Sequence, residues 1–236
     1  MCTLTFLPLA GKLLITSNRD EHTLRAPALA PQQYEYKTGN ILFPKDGQAG
    51  GTWLAMHQNG NVMILLNGAF GRHEHKPPYR LSRGIIFLQI FDTADPKTAF
   101  EDIDLDGIEP FTLVIWQRGS LWETKWDGHD KFIIPHDAGQ PHIWSSAMLY
   151  DPEVIAKREE WFSEWLAANP RPDAADIRCF HEFGGEDDER TALRMNLDGI
   201  LLTVSITGLE LTPGKCLMHY KDMVTGEIAV TEMTEK

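Results

Sequence analysis

MCTLTFLPLAGKLLITSNRDE, residues 1–21, opens the chain with two apolar runs on either side of a turn. Residues 2–7 and 13–17 are rich in the aliphatic, aromatic and threonine side chains that favour strands. Residues 8–12 begin with proline and contain Gly11, which indicates a turn between the two runs. The chain is therefore predicted to begin with a β-hairpin.

The predicted hairpin brings a thiol next to a guanidinium. With a tight turn centred on residues 10–11, the two strands run antiparallel and their residues pair across the hairpin. The predicted neighbours are Leu7 with Leu14, Leu4 with Ser17, and Cys2 with Arg19.

Cys2 has the features of a self-activating nucleophile. Removal of the initiator Met1 exposes an α-amine with a pKa of roughly 7.7 to 8.0, which can accept the thiol proton. Arg19 beside the thiol favours the thiolate, and Asp20 is placed to hold either that guanidinium or the ammonium by a charge-assisted hydrogen bond. On the residues alone, an inert cysteine on an edge strand is the alternative interpretation.

Several short motifs resemble one known family. Six short segments carry the resemblance, namely Met1-Cys2-Thr3-Leu4, Asn18-Arg19-Asp20-Glu21, Arg25-Ala26-Pro27, Gly50-Gly51-Thr52-Trp53-Leu54, Leu66-Asn67 and Ser82-Arg83-Gly84. They resemble the NRDE family, also called the transport and Golgi organisation 2 family, over residues 1 to about 90. That family is similar to the N-terminal-nucleophile hydrolases of the cysteine type, such as penicillin acylases and bile-salt hydrolases. The resemblance implies their four-layer αββα sandwich and a nucleophilic Cys2.

The resemblance also implies further site residues. Asn67 ends a predicted strand before Gly68, where its carboxamide either donates to a developing oxyanion or simply turns the chain. In the resembled hydrolases an Asn at such a strand end helps to form the oxyanion hole, so Asn67 joins Cys2 as a catalytic candidate, together with Arg19 and Asp20. The candidate binding residues are Asn18, Glu21 and, upstream of a late strand, Arg194.

Two departures from the resembled hydrolases weaken the catalytic interpretation. Residues 144–146, Trp-Ser-Ser, precede a segment where those enzymes often carry a second polar site residue, usually Asn, and this chain has none there. Bile-salt-type enzymes also read Arg-Asn-x-Asp where this chain reads Ser17-Asn18-Arg19-Asp20. The arginine has moved two places, which keeps it on the same face of a strand.

The remaining elements predict an α+β fold in one domain over residues 1–236. Residues 22–50, with three prolines, are predicted to be irregular and to pass over the site mouth. Helices are predicted from Ser82, Pro96, Asp151 and Asp173. Strands are predicted near residues 52–56, 61–66, 111–116, 121–126, 131–134, 199–207, 215–221 and 227–231. This order fits two stacked antiparallel sheets with helices outside, the αββα sandwich that the resemblance implies.

The net charge, the lack of long apolar runs and the cysteine count limit the possible binding partners and cellular compartment of the protein. The net charge of −12 repels phosphate backbones and anionic membrane surfaces, so nucleic acid is an unsuitable partner. Neither a run of 18 apolar residues nor a signal-peptide pattern occurs, so no membrane span is predicted. Three cysteines are too few for a disulfide framework, and we expect a cytoplasmic protein.

No metal or cofactor site is predicted. His73-x-His75 and Cys179-x-His181 lack a matched second pair of ligands, and the acidic run 186–189 lacks the alternation of a calcium loop. Three functions fit these residues. They are a cysteine hydrolase acting on a small amide or thioester, acyl-amide or acyl-CoA-like; a non-catalytic carrier of haem or an acyl lipid, as in haem trafficking; and a structural module with a vestigial cleft. The first two require a small-molecule ligand, and the oligomeric state stays open.

Overall fold

The fold is built from two antiparallel sheets and four helices in a computed structural model that describes residues 3–185 and 188–235. The strands are β1 Thr3–Leu9, β2 Lys12–His22, β3 Leu29–Tyr36, β4 Gly39–Lys45, β5 Leu54–His57, β6 Val62–Asn67, β7 Phe111–Gln117, β8 Ser120–Trp126, β9 Lys131–His136, β10 His142–Ser145, β11 Asn196–Leu197, β12 Leu201–Thr212, β13 Lys215–Asp222 and β14 Ile228–Thr234. The helices are α1 Arg83–Phe91, α2 Pro96–Asp102, α3 Pro152–Ala168 and α4 Ala174–Phe183.

The opening hairpin has the predicted register. Leu4 pairs with Ser17 and Leu7 pairs with Leu14, so both predictions are confirmed. Gly11 in the turn has φ +79°, a left-handed conformation that glycine adopts without steric cost. The third predicted pair includes Cys2, which lies outside the described residues.

Each sheet has a simple antiparallel order. The first sheet runs β10-β1-β2-β12-β13-β14, with β11 paired to β12, and the second runs β3-β4-β5-β6-β7-β8-β9. Strand β2 is thus hydrogen-bonded on both sides, to β1 and to β12. The chain leaves the first sheet after β2, builds the second sheet, and returns to complete the first.

The apolar side chains of the hairpin alternate between two cores, one on each face of the first sheet. Leu4, Phe6 and Ile15 belong to the large core that also includes the second sheet. Leu7 and Leu14 belong to a separate core with Phe162 of α3 and Phe180 of α4. Successive side chains of a strand point to opposite faces, so one face of the first sheet meets the second sheet and the other meets helices. Because α1 and α2 contact β6 and β7 of the second sheet, the four-layer αββα sandwich is confirmed.

Residues 22–50 are more regular than predicted, because they contain β3 and β4. The prolines that suggested an irregular segment occupy positions where no ladder hydrogen bond is lost. Pro31 lies on β3, the edge strand of its sheet, where the register shifts between Leu29 and Gln32. Pro44 lies beyond the two residues through which β4 pairs with β5. The short strands β10 and β11 were also not predicted.

The predicted helix starts agree with the structure. Ser82, Asp95, Asp151 and Asp173 are the N-caps, and each side chain accepts a hydrogen bond from a backbone N–H of the first turn. The longest of the four, α3, has 17 residues and carries several charged side chains. Within the described residues, none of the helices combines the length and the apolar character that crossing a bilayer requires.

Candidate active site

Strand β2 distributes the candidate residues over two faces of the first sheet. Arg19 points toward the second sheet, where its guanidinium lies 4.4 Å from the ring centroid of Trp53. Asn18 and Asp20 point to the helical side, where Asn18 bonds to α4 and Asp20 to Tyr150. Residues that are adjacent in the motif therefore contact different layers of the fold.

A cavity of about 660 Å³ lies beside Arg19. Its walls come from the end of β2 and the loop after it, from the loop between β4 and β5, from the end of β6, and from residues 79–85. Three of the predicted site residues, Arg19, Glu21 and Asn67, line this one cavity. The long-range pairing of the strands has brought together residues that are far apart in the sequence.

Asp46 holds the two arginines of this wall. Its Oδ2 lies 2.6 Å from Nη2 of Arg19 and 2.8 Å from Nε of Arg25. Its Oδ1 accepts hydrogen bonds from Nη2 of Arg25 at 3.1 Å and from the backbone N–H of Ala49 at 2.6 Å. Glu21 adds weaker ion pairs of 3.4 Å to both arginines. Arg19 is therefore fixed by carboxylates from outside its own strand as well as from within it.

The charges in this network are mutually stabilised. Burial alone would raise the pKa of Asp46, but hydrogen bonds from Arg25 and the Ala49 N–H, with the charges of Arg25 and Arg19, lower it overall. The hydrogen bond to Asp46 raises the pKa of Arg25. The Asp46 carboxylate and the Arg25 guanidinium thus stabilise each other's charged forms, and the Arg19 guanidinium lies against the same carboxylate at the cavity wall.

Trp53 also contacts Arg19 and restricts its movement. The indole face lies under the guanidinium, an arrangement in which the ring quadrupole attracts the cation. The indole Nε1–H is buried and has no hydrogen-bond partner in the described part of the chain. Between Asp46 on one side and the indole on the other, the guanidinium has little freedom to move.

Asn67 combines a fixed backbone with an available side chain. It is the last residue of β6, and its carbonyl accepts hydrogen bonds from the Ser146 hydroxyl at 2.8 Å and the Met148 N–H at 3.3 Å. Gly68 follows with φ +81° and packs against Met148. Within residues 3–185 and 188–235 the carboxamide makes no hydrogen bond, and the residue lines the cavity. Such a group is able to donate to an oxyanion.

A second ion-pair cluster closes another wall of the cavity. Arg83 at the start of α1 lies 3.2 Å from Glu109, and the rings of His73 and His75 contact the same carboxylate at 3.4 and 3.3 Å. Burial lowers the pKa of Arg83, while the charge of Glu109 opposes that shift. In the described ranges, no group of three or more His, Cys, Asp or Glu side chains has a metal-binding arrangement.

Asp20 lies away from this cavity wall, in the first sheet's helical layer. Its Oδ2 accepts a hydrogen bond of 2.7 Å from the Tyr150 hydroxyl, and its Oδ1 accepts one of 2.5 Å from the Thr203 hydroxyl. The suggestion that Asp20 anchors Arg19 is therefore not supported, because the two side chains leave β2 on opposite faces and Arg19 pairs with Asp46.

Asn18 and Arg194 are also separated from the cavity of Arg19. The Asn18 carboxamide is fully buried and donates to the carbonyl groups of His181 and Leu193 at 3.0 and 2.6 Å. Arg194 is exposed and lines a different cavity of about 540 Å³ with Glu182 and Thr203. Asn18 thus joins β2 to α4, and Arg194 is not brought together with Arg19 and Asn67.

Cys2 lies outside the described residues. The residue after it, Thr3, begins β1 and pairs with Asn18 of β2 and Ser145 of β10. Thr3 is fully buried, and its hydroxyl accepts a hydrogen bond from Arg158 of α3. The described part of β1 is therefore firmly held at its first residue.

Sequence reasoning missed several residues that organise this region. Arg25 and Trp53 belong to motifs that resemble the family but were given no role. Asp46 lies in a segment predicted to be irregular, Arg158 lies in a predicted helix without a further role, and no prediction includes Tyr150. The position of Arg19 on a predicted strand was the available signal for Asp46, since a buried charge is commonly paired with an opposite charge.

Solved structures similar to this chain share its fold. A cysteine-to-alanine variant of conjugated bile acid hydrolase from Clostridium perfringens is 12% identical, with a TM-score of 0.58 over 99% of this chain and 92% of that one. An arginine-to-leucine variant of the same hydrolase gives a TM-score of 0.56 at 12% identity, over 98% and 92%. The Caenorhabditis elegans N-acylethanolamine-hydrolyzing acid amidase ortholog is 11% identical, with a TM-score of 0.58 over 88% and 92%. At such identities the likeness shows the N-terminal-nucleophile hydrolase fold.

Sequence comparisons give the family. No curated protein matches the chain. The Transport and Golgi organisation 2 family matches residues 1–188, which include both halves of the opening hairpin and every wall of the cavity beside Arg19. The chain belongs to the Transport and Golgi organisation 2 family.

Proposed function

We propose that this protein is a cysteine hydrolase of the N-terminal-nucleophile type that cleaves a small amide or thioester. The nucleophile is Cys2 after removal of Met1, and its own α-amine is the base. Arg19 favours the thiolate, and Asn67 donates to the oxyanion. The observation that carries the proposal is that Arg19 and Asn67, whose carboxamide makes no hydrogen bond within the described residues, line the same cavity.

The proposed reaction has two stages. The α-amine takes the thiol proton, and the Cys2 sulfur attacks the substrate carbonyl carbon to form a tetrahedral intermediate with a negatively charged oxygen. Collapse of the intermediate breaks the C–N or C–S bond, and the ammonium returns the proton to the leaving amine or thiol. A water molecule, deprotonated by the amine, then hydrolyses the thioester with the enzyme and releases the acid.

The cavity supports this chemistry in its size and its donors. At about 660 Å³ it lies within the usual range for small-molecule sites. Loss of one oxyanion donor typically costs about 2.7 to 4 kcal/mol of transition-state stabilisation, so a donor such as the Asn67 carboxamide would contribute substantially. Arg19 supplies its charge without reorganisation, because Asp46 and Trp53 already fix it.

The similar structures agree with this class of reaction. They are named a conjugated bile acid hydrolase and an N-acylethanolamine-hydrolyzing acid amidase. One of them was solved as a variant whose second residue, a cysteine, is alanine. Cys2 occupies the same position in this chain.

The decisive experiment is an activity screen over acyl-amides and acyl-thioesters with wild type and Cys2→Ala. We expect wild type, with Met1 shown by intact mass to be absent, to turn over at least one class, and Cys2→Ala to lose activity by at least about 10³-fold. Asn67→Ala is expected to retain substrate binding and to lose about 10² to 10³ in kcat. Retention of Met1, or equal activity of wild type and Cys2→Ala, would contradict the proposal.

A further inference from the structure

Arg158 of α3 is fully buried and lies against the first residue of β1. Its exposure is 0%, and its guanidinium donates to the Thr3 hydroxyl at 2.5 Å. It also donates to the carbonyl groups of Thr191 at 3.0 Å and Ala192 at 2.6 Å. Four donated hydrogen bonds, counting one from Nε to Thr191, therefore tie α3 to β1 and to the segment after α4.

This guanidinium has no carboxylate within ion-pair distance in the described part of the chain. A buried charge without a direct counterion is costly, and its hydrogen bonds to carbonyl groups offset only part of that cost. The remaining compensation comes from the ring of Tyr150, whose centroid lies 3.6 Å from the guanidinium carbon. A buried arginine of this kind is often replaceable by an apolar side chain at no cost in stability, so its presence here points to a role beyond packing.

Tyr150 connects Arg158 to Asp20. Its ring is held against the guanidinium, and its hydroxyl donates to Asp20 Oδ2 at 2.7 Å. The other oxygen, Oδ1, accepts from the Thr203 hydroxyl, which itself accepts a hydrogen bond of 2.9 Å from the Met195 N–H. Because that N–H fixes the direction in which Thr203 donates, both oxygens of the Asp20 carboxylate are oriented.

Charged and titratable side chains from three elements lie around Tyr150. Asp20 belongs to β2, Arg158 to α3 and His181 to α4. Burial, with a smaller contribution from the charge of Arg158, lowers the pKa of His181 to about 3, so His181 is neutral at ordinary pH. Asp20 and Arg158 are thus an acidic and a basic side chain of this layer, and Tyr150 lies between them.

We propose that Arg158 and Tyr150 are positioning residues for the amino-terminal nucleophile. Arg158 fixes Thr3, the residue bonded to Cys2, and Tyr150 orients the Asp20 carboxylate, whose proposed role is to stabilise the α-ammonium that forms when the thiol loses its proton. Neither residue contacts the substrate. The inference rests on the proposed function, since it concerns the activation of Cys2.

The test measures the reactivity of the Cys2 thiol and requires no substrate. Alkylation by iodoacetamide is followed between pH 5 and pH 10 on the peptide that contains Cys2, by mass spectrometry, with the exposed Cys179 as an internal standard. The variants are Tyr150→Phe, which keeps the ring and removes only the hydroxyl, and Arg158→Lys, which keeps a positive charge and loses the planar fork. Tyr34→Phe is the matched control, because the Tyr34 hydroxyl is buried and has no partner in the described part of the chain.

We expect Cys2 of wild type to react at lower pH than Cys179. In Tyr150→Phe and in Arg158→Lys, we expect the midpoint for Cys2 to move about one pH unit upward, with alkylation at pH 7 slower by up to about tenfold. Cys179 in all proteins and Cys2 in Tyr34→Phe should be unchanged. A purely structural role would lower the melting temperature and leave the pH profile in place.

The outcomes separate the two proposals. If wild-type Cys2 reacts no faster than Cys179 at neutral pH, the proposed function fails, and this inference fails with it. If wild-type Cys2 is activated but Tyr150→Phe has the wild-type profile, the inference alone is overturned. Tyr150→Phe decides the matter even if Arg158→Lys does not fold, because its change is confined to one hydroxyl.

Discussion

At the scale of single residues, one carboxylate determines the electrostatics of the cavity. Asp46 binds Arg19 and Arg25 and also accepts the Ala49 N–H. These contacts keep its charge in a buried position and keep both guanidinium groups in place. The position of Arg19 therefore depends on a residue 27 places further along the chain.

Replacement of Asp46 by Asn tests this dependence. Asp46→Asn keeps the shape of the side chain but leaves two arginines without their main counterion, so we expect a loss of about 3 kcal/mol in the free energy of unfolding at pH 7. Urea denaturation of both proteins measures it. Glu101→Gln is the control, because its exposed ion pair with Lys97 should contribute less than about 1 kcal/mol.

The effect of Asp46 also has a defined pH range. Its pKa is lowered in the folded protein, so its contribution is present above the ordinary carboxyl pKa of 3.8 and is lost as the pH falls below that value. The difference between wild type and Asp46→Asn should therefore shrink in acid. A difference that is the same at pH 7 and pH 3 would show that the charge of Asp46 does not matter.

At the scale of elements, the cavity depends on the close approach of α1 to the loop before β5. A Cβ on Gly51 would lie 2.4 Å from the backbone carbon of Gly84, and a Cβ on Gly84 would lie 2.9 Å from the Thr52 carbonyl oxygen. Only glycine at these positions lets the first turn of α1 reach the cavity wall. The segment of residues 79–85 is thereby held opposite Arg19.

Gly51→Ala should move α1 away from this position. Because the clash is with backbone, we expect a destabilisation of about 2 to 3 kcal/mol and a weaker affinity for any ligand of the cavity. Thermal denaturation measures the first effect. Gly71→Ala is the control, since a Cβ there meets nothing within 4 Å and its backbone is not in the left-handed region. Equal melting temperatures for the two variants would contradict this account.

The elements that sequence predicts well are those whose partners are local. The register of β1 and β2 follows from one short turn. The start of each helix follows from a capping side chain that accepts a hydrogen bond from a backbone N–H no more than three residues away. Strands β3 and β4 were missed because the prolines sit at an edge and at a bulge, which only the finished sheet creates.

The site was predictable to a smaller extent for a related reason. Successive side chains of β2 point to opposite faces of the sheet, and this local rule already separates Arg19 from Asp20. A shared role was nevertheless predicted for them because they are adjacent in the sequence. The partners of those residues are distant, since Tyr150 lies 130 places from Asp20 in the sequence. No local pattern contains such a contact.

At the scale of the whole molecule, the helical layer is joined to the first sheet by buried polar side chains as well as by apolar ones. His181 of α4 lies 2.7 Å from Asn18 Oδ1 through Nδ1 and 2.8 Å from the Thr5 hydroxyl through Nε2. Because the Asn18 oxygen only accepts, Nδ1–H is the donor, and Nε2 of the neutral ring accepts from Thr5. Protonation would place a second donor against Thr5 in a buried site near Arg158.

This arrangement predicts an acid-sensitive fold. Burial, together with the charge of Arg158, lowers the pKa of His181 from 6.5 to about 3. The unfolded chain therefore binds one more proton than the folded protein between these values, and stability contributed by neutral His181 is lost as the pH falls from 6.5 toward 3. At about 1.4 kcal/mol per unit, the loss between pH 6.5 and pH 5 is about 2 kcal/mol from this residue.

His181→Gln isolates the contribution of this residue. The variant should be less stable than wild type at pH 7.5, since it loses one hydrogen bond of the buried pair, but its stability should fall about 2 kcal/mol less between pH 6.5 and pH 5. Urea denaturation at both pH values measures the difference, and carboxyl groups that titrate in both proteins cancel from it. His129→Gln, a change at an exposed position, should keep the wild-type slope. Parallel pH dependence of wild type and His181→Gln would mean that α4 is not joined to the sheet through a neutral imidazole.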